Sequence, residues 1–245
     1  MRVLVIPDVH LKPKLFGYAD ELLNQGVADR AVCLMDLPDE IGQEYNMDLY
    51  ARTFEAAIAF AGEHPDTLWC YGNHEFSYLW GRTTNKYSVF CSELAKNKIL
   101  ELRQSLPDPE QMAIVHRIGR VIFLHAGLTE NAVRSCTRPG DYENVDIVID
   151  NVNRLLSPDD LWWDSASPVW YRPQRALCPM YEPDRFVQVV GHTPVETIRR
   201  EGCMIFCDVF ARTRNGLPYG SRHFPVVDTE TGTWTEYPVP GETDR

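Results

Sequence analysis

The chain has 245 residues, 44% of them hydrophobic and 24% charged, enough for one large α/β core or one core with an insertion. Its net charge of -11 and pI of about 5.1 speak against sequence-independent nucleic-acid binding, which needs a basic footprint. No apolar run approaches the length that spans a bilayer, and seven cysteines without a CxxC pair exclude a disulfide framework and a zinc knuckle, pointing to a reducing compartment, the cytoplasm.

The N-terminal apolar stretch is too short for a signal peptide and reads as a first strand, Arg2 to Ile6, suited to the middle of a covered sheet. It ends at Pro7-Asp8-Val9-His10. Residues two apart in an extended segment point the same way, so Asp8 and His10 deliver a carboxylate and an imidazole to one place. Leu15 to Gly26 has helical spacing, with Gly26 as a C-cap. Ala31 to Met35 is a second strand, followed by Asp36-Leu37-Pro38-Asp39-Glu40, and Tyr45 to Gly62 a second helix. Thr67 to Cys70 is a third strand between Pro65 and Gly72. After it come Asn73, with a hard amide oxygen, His74, a general acid or base, and Glu75, an orienting carboxylate. Three βα units imply a largely parallel sheet whose C-terminal strand ends lie side by side, where ligands bind.

Phe76 to Leu106 reads as a helix in two pieces, broken at Gly81 and Thr83-Thr84. Met112 to His116 and Arg120 to Leu124 form a hairpin pattern around Gly119, ending at His125-Ala126-Gly127. Residues 129–184, with a helix from Asn144 to Leu156, read as an insertion folding over the strand ends within one domain spanning 1–245. Phe186 to Val190 is a further strand, ending at Gly191-His192-Thr193-Pro194. Glu196 to Tyr237 reads as short strands of a second, mixed or antiparallel sheet, and the residues from Pro238 as a frayed tail.

Asp8, His10, Asp36, Asn73, His125 and His192 each follow an expected strand. Carboxylate, imidazole and amide donors suit Mn²⁺, Fe²⁺ or Zn²⁺, not calcium. Six donors exceed what one catalytic ion needs and fit two ions about 3.5–4 Å apart that share a carboxylate. Such a pair makes a bridging water acidic and clamps the oxygens of a phosphoryl group. Other polar residues read as structural: His64 and His116 as solvated, Trp162-Trp163 as insertion packing, and the carboxylates at 40–44 and 141–146 as solvated faces. Asp208 is a candidate outer partner of the site.

Asp8-x-His10, Asp36-x-x-Asp39, Gly72-Asn73-His74-Glu75, His125-Ala126-Gly127 and Gly191-His192-Thr193 resemble the five ordered motifs of calcineurin-like metallophosphoesterases. The resemblance implies a four-layer αββα sandwich of two mixed β-sheets flanked by helices. It implies that Asp8 and His10 hold a first ion, that Asp36 bridges, and that Asn73, His125 and His192 hold a second. His74, oriented by Asp39, would protonate the leaving oxygen, and a bridging hydroxide would attack phosphorus. Trp170-Tyr171-Arg172 resembles the phosphoprotein phosphatase branch and its bacterial relatives, including diadenosine tetraphosphate hydrolases. Arg172 would be a phosphate clamp beside Asn73.

The chain departs from that pattern in four places. Pro194 stands where many members have a second histidine, Met35 replaces a glycine before the bridging aspartate, Glu40 replaces a phosphate-binding arginine, and Cys70-Tyr71 replaces another arginine. The expected activity is hydrolysis of phosphate monoesters, phosphoprotein among them, with two divalent ions, Mn²⁺ ahead of Fe or Zn. The partner is a phosphorylated substrate, with no nucleic acid and no membrane. The alternatives are a nucleotide phosphohydrolase acting on dinucleoside polyphosphates or cyclic nucleotides, and a metal-binding interaction protein without turnover.

Overall fold

The structure, a computed structural model, describes residues 1–161 and 166–239. Strand β1 (Arg2–Ile6) is buried on both faces from Val3 onward, as its unbroken apolar run requires. It pairs in parallel with β2 (Arg30–Cys33), β2 with β3 (Leu68–Cys70), and β3 with β4 (Met112–Ala113). The connections carry helices α1 (Lys14–Asn24), α2 (Met47–Glu63), α3 (Asn73–Trp80) and α4 (Ser92–Ser105). Helix α1 buries Leu15, Phe16, Ala19 and Leu22, and α2 buries Tyr50, Phe54, Ala57 and Phe60, each a single apolar stripe. Helix α3 starts earlier than expected. Gly72 is its extended N-cap, and the Glu75 carboxylate turns back to accept from Gly72 N at 3.0 Å, so Asn73 and His74 lie in its first turn and not in a loop.

Residues 112–116 are not one arm of a hairpin, because the chain changes sheets at Ile114. Ile114 N and Val115 N both donate to Asn153 Oδ1, at 3.1 and 2.9 Å, and Asn153 Nδ2 donates to Val115 O at 3.0 Å. That one amide satisfies the backbone groups the crossing exposes. Strands β5 (Val115–Ile118) and β6 (Val121–Leu124) then make the hairpin around Gly119, whose φ is 59°. With β7 (Val187–Val190), β8 (Arg199–Glu201) and β9 (Met204–Phe206) they build a second mixed sheet in the order β5-β6-β7-β9-β8.

The expectation for 196–237 holds only in part. Strands β10 (His223–Asp228) and β11 (Trp234–Pro238) leave the second sheet and extend the first, in the order β11-β10-β1-β2-β3-β4. The buried outer edge of β1 needs a partner for its backbone groups, and β10 supplies one. Helices α1, α2 and α4 pack together beside the first sheet, and α5 (Glu130–Cys136) and α6 (Val145–Asn153) beside the second, followed by the short α7 (Pro158–Leu161). The result is two mixed sheets flanked by helices. Trp162 and Trp163 lie outside the described residues, as does the tail from 240.

His64 and His116 are not solvated as expected. His64 Nε2 lies 2.9 Å from Asp20 Oδ1, with the ring packed 4.7 Å from Phe60. His116 Nε2 lies 3.2 Å from Trp69 O and 3.0 Å from Gln111 O, and burial lowers it to about 4, so a neutral ring donates one proton to these carbonyls. Among the described residues, no helix is long and apolar enough to cross a membrane.

Candidate active site

Asp8, His10, Asp36, Asn73, His125, His192 and Asp208 all lie just beyond the C-terminal ends of strands in parallel pairs. The ladder between β1 and β2 continues past both strand ends: Val9 N donates to Met35 O at 3.0 Å, His10 N to Asp36 O at 2.7 Å, and Leu11 N to Leu37 O at 3.0 Å. His10 and Asp36 are thereby fixed side by side. Met35, fully buried, has a φ of 56°, a conformation that glycine adopts without penalty. A methionine there stores about 1–3 kcal/mol of strain, which its burial offsets.

Asp36 is the hub. Its Oδ1 accepts from His74 N, at the start of α3, at 3.1 Å. Its Oδ2 faces three imidazoles: His125 Nε2 at 3.3 Å, His10 Nε2 at 3.7 Å and His74 Nε2 at 4.0 Å. Burial would raise this carboxyl, but His125 and His74 outweigh burial and hold it well below the usual carboxylate range. Asp36 belongs to both buried triads whose ligand atoms lie within 4.8 Å of one another: His10, Asp36, His74 and Asp36, His125, His192.

Two histidines have their tautomers set by backbone carbonyls. His10 Nδ1 donates to Pro38 O at 3.2 Å, and His125 Nδ1 donates to Leu34 O at 3.0 Å. Each ring then keeps Nε2 as the atom that would bind a cation, the arrangement usual for a metal-ligating histidine, with the proton His125 carries there given up to the ion. His125 Nε2 lies 3.1 Å from both Asn73 Oδ1 and His192 Nδ1. Donors bound about 2.1 Å from one ion lie roughly 3.0–3.4 Å apart, so these separations suit a shared cation. Burial lowers His125, yet Asp36 and Asp8 outweigh it and push it up to about 9. The pocket draws positive charge.

Asp8 belongs to neither triad. Its Oδ2 accepts from His192 N at 2.8 Å. Among the described residues, Asp8 Oδ1, His192 Nε2 and Asp208 Oδ1 are buried without hydrogen-bond partners. Asp208, two residues past the end of β9, is buried and close enough to Asp8 to act on its charge, in keeping with an outer partner of the site. Asp8 is raised well above the usual range by burial and then by Asp208, and burial pushes Asp208 up to about 6. Buried carboxylates with free oxygens, beside imidazole lone pairs and an amide oxygen, fit divalent cations of the Mn²⁺, Fe²⁺ or Zn²⁺ type.

Gly191 lets Asp8 into this space, since a Cβ there would stand 1.8 Å from Asp8 Oδ1. Gly191→Ala is therefore expected to push that carboxylate aside and break its bond to His192 N. Bound metal measured on the purified variant should fall, and kcat should drop by about 10²-fold, the upper end for losing support of a metal ligand. A variant with wild-type metal content and rate would show that Asp8 Oδ1 does not face a cation.

His74 carries a second network. Its Nδ1 lies 2.6 Å from Asp39 Oδ2, and Asp39 is fully buried. Asp39 Oδ1 accepts from Tyr50 Oη at 2.6 Å and from Tyr78 Oη. Burial would lower His74, but Asp36 and Asp39 outweigh it and raise it, which favours a proton on Nε2, the nitrogen that lies 4.0 Å from Asp36 Oδ2. The two tyrosines escape sequence reading because buried aromatics on helices look like core. Tyr78 had a signal, standing four residues after His74 on the same face of α3.

Arg172 Nη1 donates to Thr193 Oγ1 at 3.3 Å, and the Trp170 ring meets His192 edge-on at 5.9 Å. Ala126 N and Gly127 N donate to Pro168 O at 2.9 and 3.3 Å, tying the 129–184 segment to the loop that carries His125. Glu40 is not on a solvated face. It is buried, with Lys12 Nζ 3.0 Å away, Lys86 Nζ at 3.6 Å and Arg212 Nε at 4.0 Å. Lys12 and Lys86 thus bring positive charge to the position where Glu40 replaces an arginine. A third possible ligand set, Asp20, Glu63 and His64, includes two exposed or half-exposed carboxylates and precedes β3, at the opposite strand end.

The sequence matches the family model for calcineurin-like phosphoesterases over residues 1–219. A search of curated proteins finds no match. Among solved structures, a cold-active protein-tyrosine phosphatase of a psychrophilic Shewanella species is similar at a TM-score of 0.58 and 17% identity, over 96% of this chain and 80% of that one. A metallophosphoesterase from Sphaerobacter thermophilus is similar at a TM-score of 0.43 and 15% identity, over 98% of this chain and 89% of that one.

Proposed function

The chain belongs to the calcineurin-like phosphoesterase family, hydrolases that use metal to cleave phosphoric esters, and from that premise we propose that it works with two cations and acts on phosphate monoesters, phosphoprotein among them. The observation that carries the proposal is Asp36 Oδ2, which faces imidazoles of both triads at once. In this reading Asp8, His10 and Asp36 hold one ion, and Asp36, Asn73, His125 and His192 the other. Bound there, Mn²⁺, or Fe or Zn in its place, would neutralise phosphate oxygens and make water nucleophilic near neutral pH. Arg172 and Asn73 would hold the phosphate oxygens, a planar fork and an amide suited to that task. His74 Nε2 would give its proton to the leaving oxygen, while Asp39, held by Tyr50 and Tyr78, keeps the ring oriented.

A monoester carries more negative charge than a diester, and the cations around Glu40 with Arg172 suit that charge. We take residues 1–245 as one domain, with 129–184 covering the site through Pro168 and Trp170. The seven free thiols agree with a cytoplasmic setting. The test is chelator-stripped protein titrated with Mn²⁺, Fe²⁺ or Zn²⁺. The substrates are p-nitrophenyl phosphate, its bis-ester, phosphopeptides, a cyclic nucleotide and diadenosine tetraphosphate. Full rate should return at two equivalents of ion, with monoesters preferred over the bis-ester by at least about tenfold, or 1.4 kcal/mol. Full rate at one equivalent would remove the paired centre, and preference for a diester or a nucleotide would remove the monoester assignment.

A further inference from the structure

Beside the site lies a cavity of about 440 Å³. Tyr18, Leu49 and Phe210 give it an apolar floor, and Lys12, Lys14, Arg52, Arg212 and Arg222 surround it. Among the described residues no carboxylate lines it, although the chain as a whole has a net charge of -11. Glu40 lies beside Lys12 and Arg212, and Asp48 is 2.9 Å from Arg52. A concentration of cations on an acidic protein raises the local concentration of anions and selects among them.

Two segments run from the proposed active site to the lining of this cavity. Lys12 follows His10 by two residues and its Nζ donates to His10 O at 3.0 Å. Phe210, Ala211 and Arg212 continue the segment that leaves the end of β9 through Asp208. A phosphate seated between Asp36 and Arg172 has its ester oxygen on an alcohol that must point outward, and this cavity is a place for that alcohol. The apolar floor fits a carbon scaffold, and the guanidinium and ammonium groups fit an anion carried on it.

We propose that this cavity holds the alcohol part of the substrate and selects phosphate esters that carry a second phosphate group. The proposal rests on the phosphohydrolase reading. In the reaction, water adds to the phosphorus of the seated phosphate, the P–O bond to the alcohol breaks, and that oxygen takes a proton. Inorganic phosphate and an alcohol still bearing its other phosphate leave.

A homologous series of linear diol bisphosphates, assayed against the matching alkyl monophosphates, tests this. Wild-type protein should favour a bisphosphate of matching length by about tenfold or more in kcat/KM, as one or two charge-assisted contacts imply. The charge reversal Lys14→Glu with Arg212→Glu should collapse that ratio to about one, and added salt should erode it in the wild type. Both side chains are exposed, so the variant should fold; Lys14→Gln with Arg212→Gln serves if it does not. An equal rate on both classes in wild type, or a preference that survives both variants, would overturn the proposal. If nothing is hydrolysed with any ion, the hydrolase reading fails instead. Calorimetric binding of the bisphosphates then decides separately on the cavity: binding lost in the variant supports it, and equal or absent binding in both proteins rejects it.

Discussion

Asp36→Asn is expected to lower kcat by about 10³-fold and to strip the protein of metal, because one substitution weakens both halves of the centre. The amide keeps the shape of the carboxylate and can still accept from His74 N through its oxygen. Its nitrogen then occupies the place of Oδ2, facing His125 Nε2 and His10 Nε2. A lone pair and a negative charge are replaced by N–H groups that repel a cation. Metal ions supply several kcal/mol of charge stabilisation in such reactions, and about 4 kcal/mol corresponds to three tenfold factors. Elemental analysis of the purified variant, with far-ultraviolet circular dichroism to show that it folds, is the measurement. Asp8→Asn is the control and should affect one ion, since the proposed ligand sets give Asp8 to the His10 ion alone, while its Oδ2 also accepts from His192 N. Should Asp36→Asn retain two ions and a rate within tenfold of wild type, Asp36 does not link the two triads.

The sequence made the ligand-bearing loops legible because each is an apolar strand followed at once by polar donors, and a parallel sheet aligns such ends. Asp8, His10, Asp36, Asn73, His74, His125 and His192 were read as candidates that way, and Asp36 lies close to four of the others. What it concealed has physical reasons. Alternating strand patterns do not say which sheet a strand joins, so β10 and β11 were read into the second sheet when the bare edge of β1 claimed them. Glu40 looked like one charge in an acidic run, since Lys12, Lys86 and Arg212 reach it from distant segments. Tyr50 and Tyr78 looked like core because their rings are core; only the hydroxyls, converging on Asp39, serve the site. Nor does a sequence show that Gly72 and Gly191, by lacking a side chain, make room for Asp36 and Asp8.

His74→Ala is expected to slow hydrolysis by an amount that depends on the leaving group, and this dependence separates a proton donor from a residue that merely fills space. General acid catalysis contributes about 10²–10⁴-fold, but only where the departing oxygen needs a proton. Alkyl phosphates, whose alkoxide is a strong base, should lose about 10³-fold in kcat. For p-nitrophenyl phosphate, whose phenolate leaves unaided, the loss should be about tenfold or less. A plot of log kcat against leaving-group pKa should therefore be steeper for the variant than for wild type. Asp39→Asn should steepen it less, because the imidazole stays but loses the carboxylate 2.6 Å from Nδ1. Metal content should survive in His74→Ala, since His10 and Asp36 remain a pair without it. A loss uniform across all leaving groups, together with loss of an ion, would mean that His74 Nε2, 4.0 Å from Asp36 Oδ2, is a ligand of the first triad and not the acid.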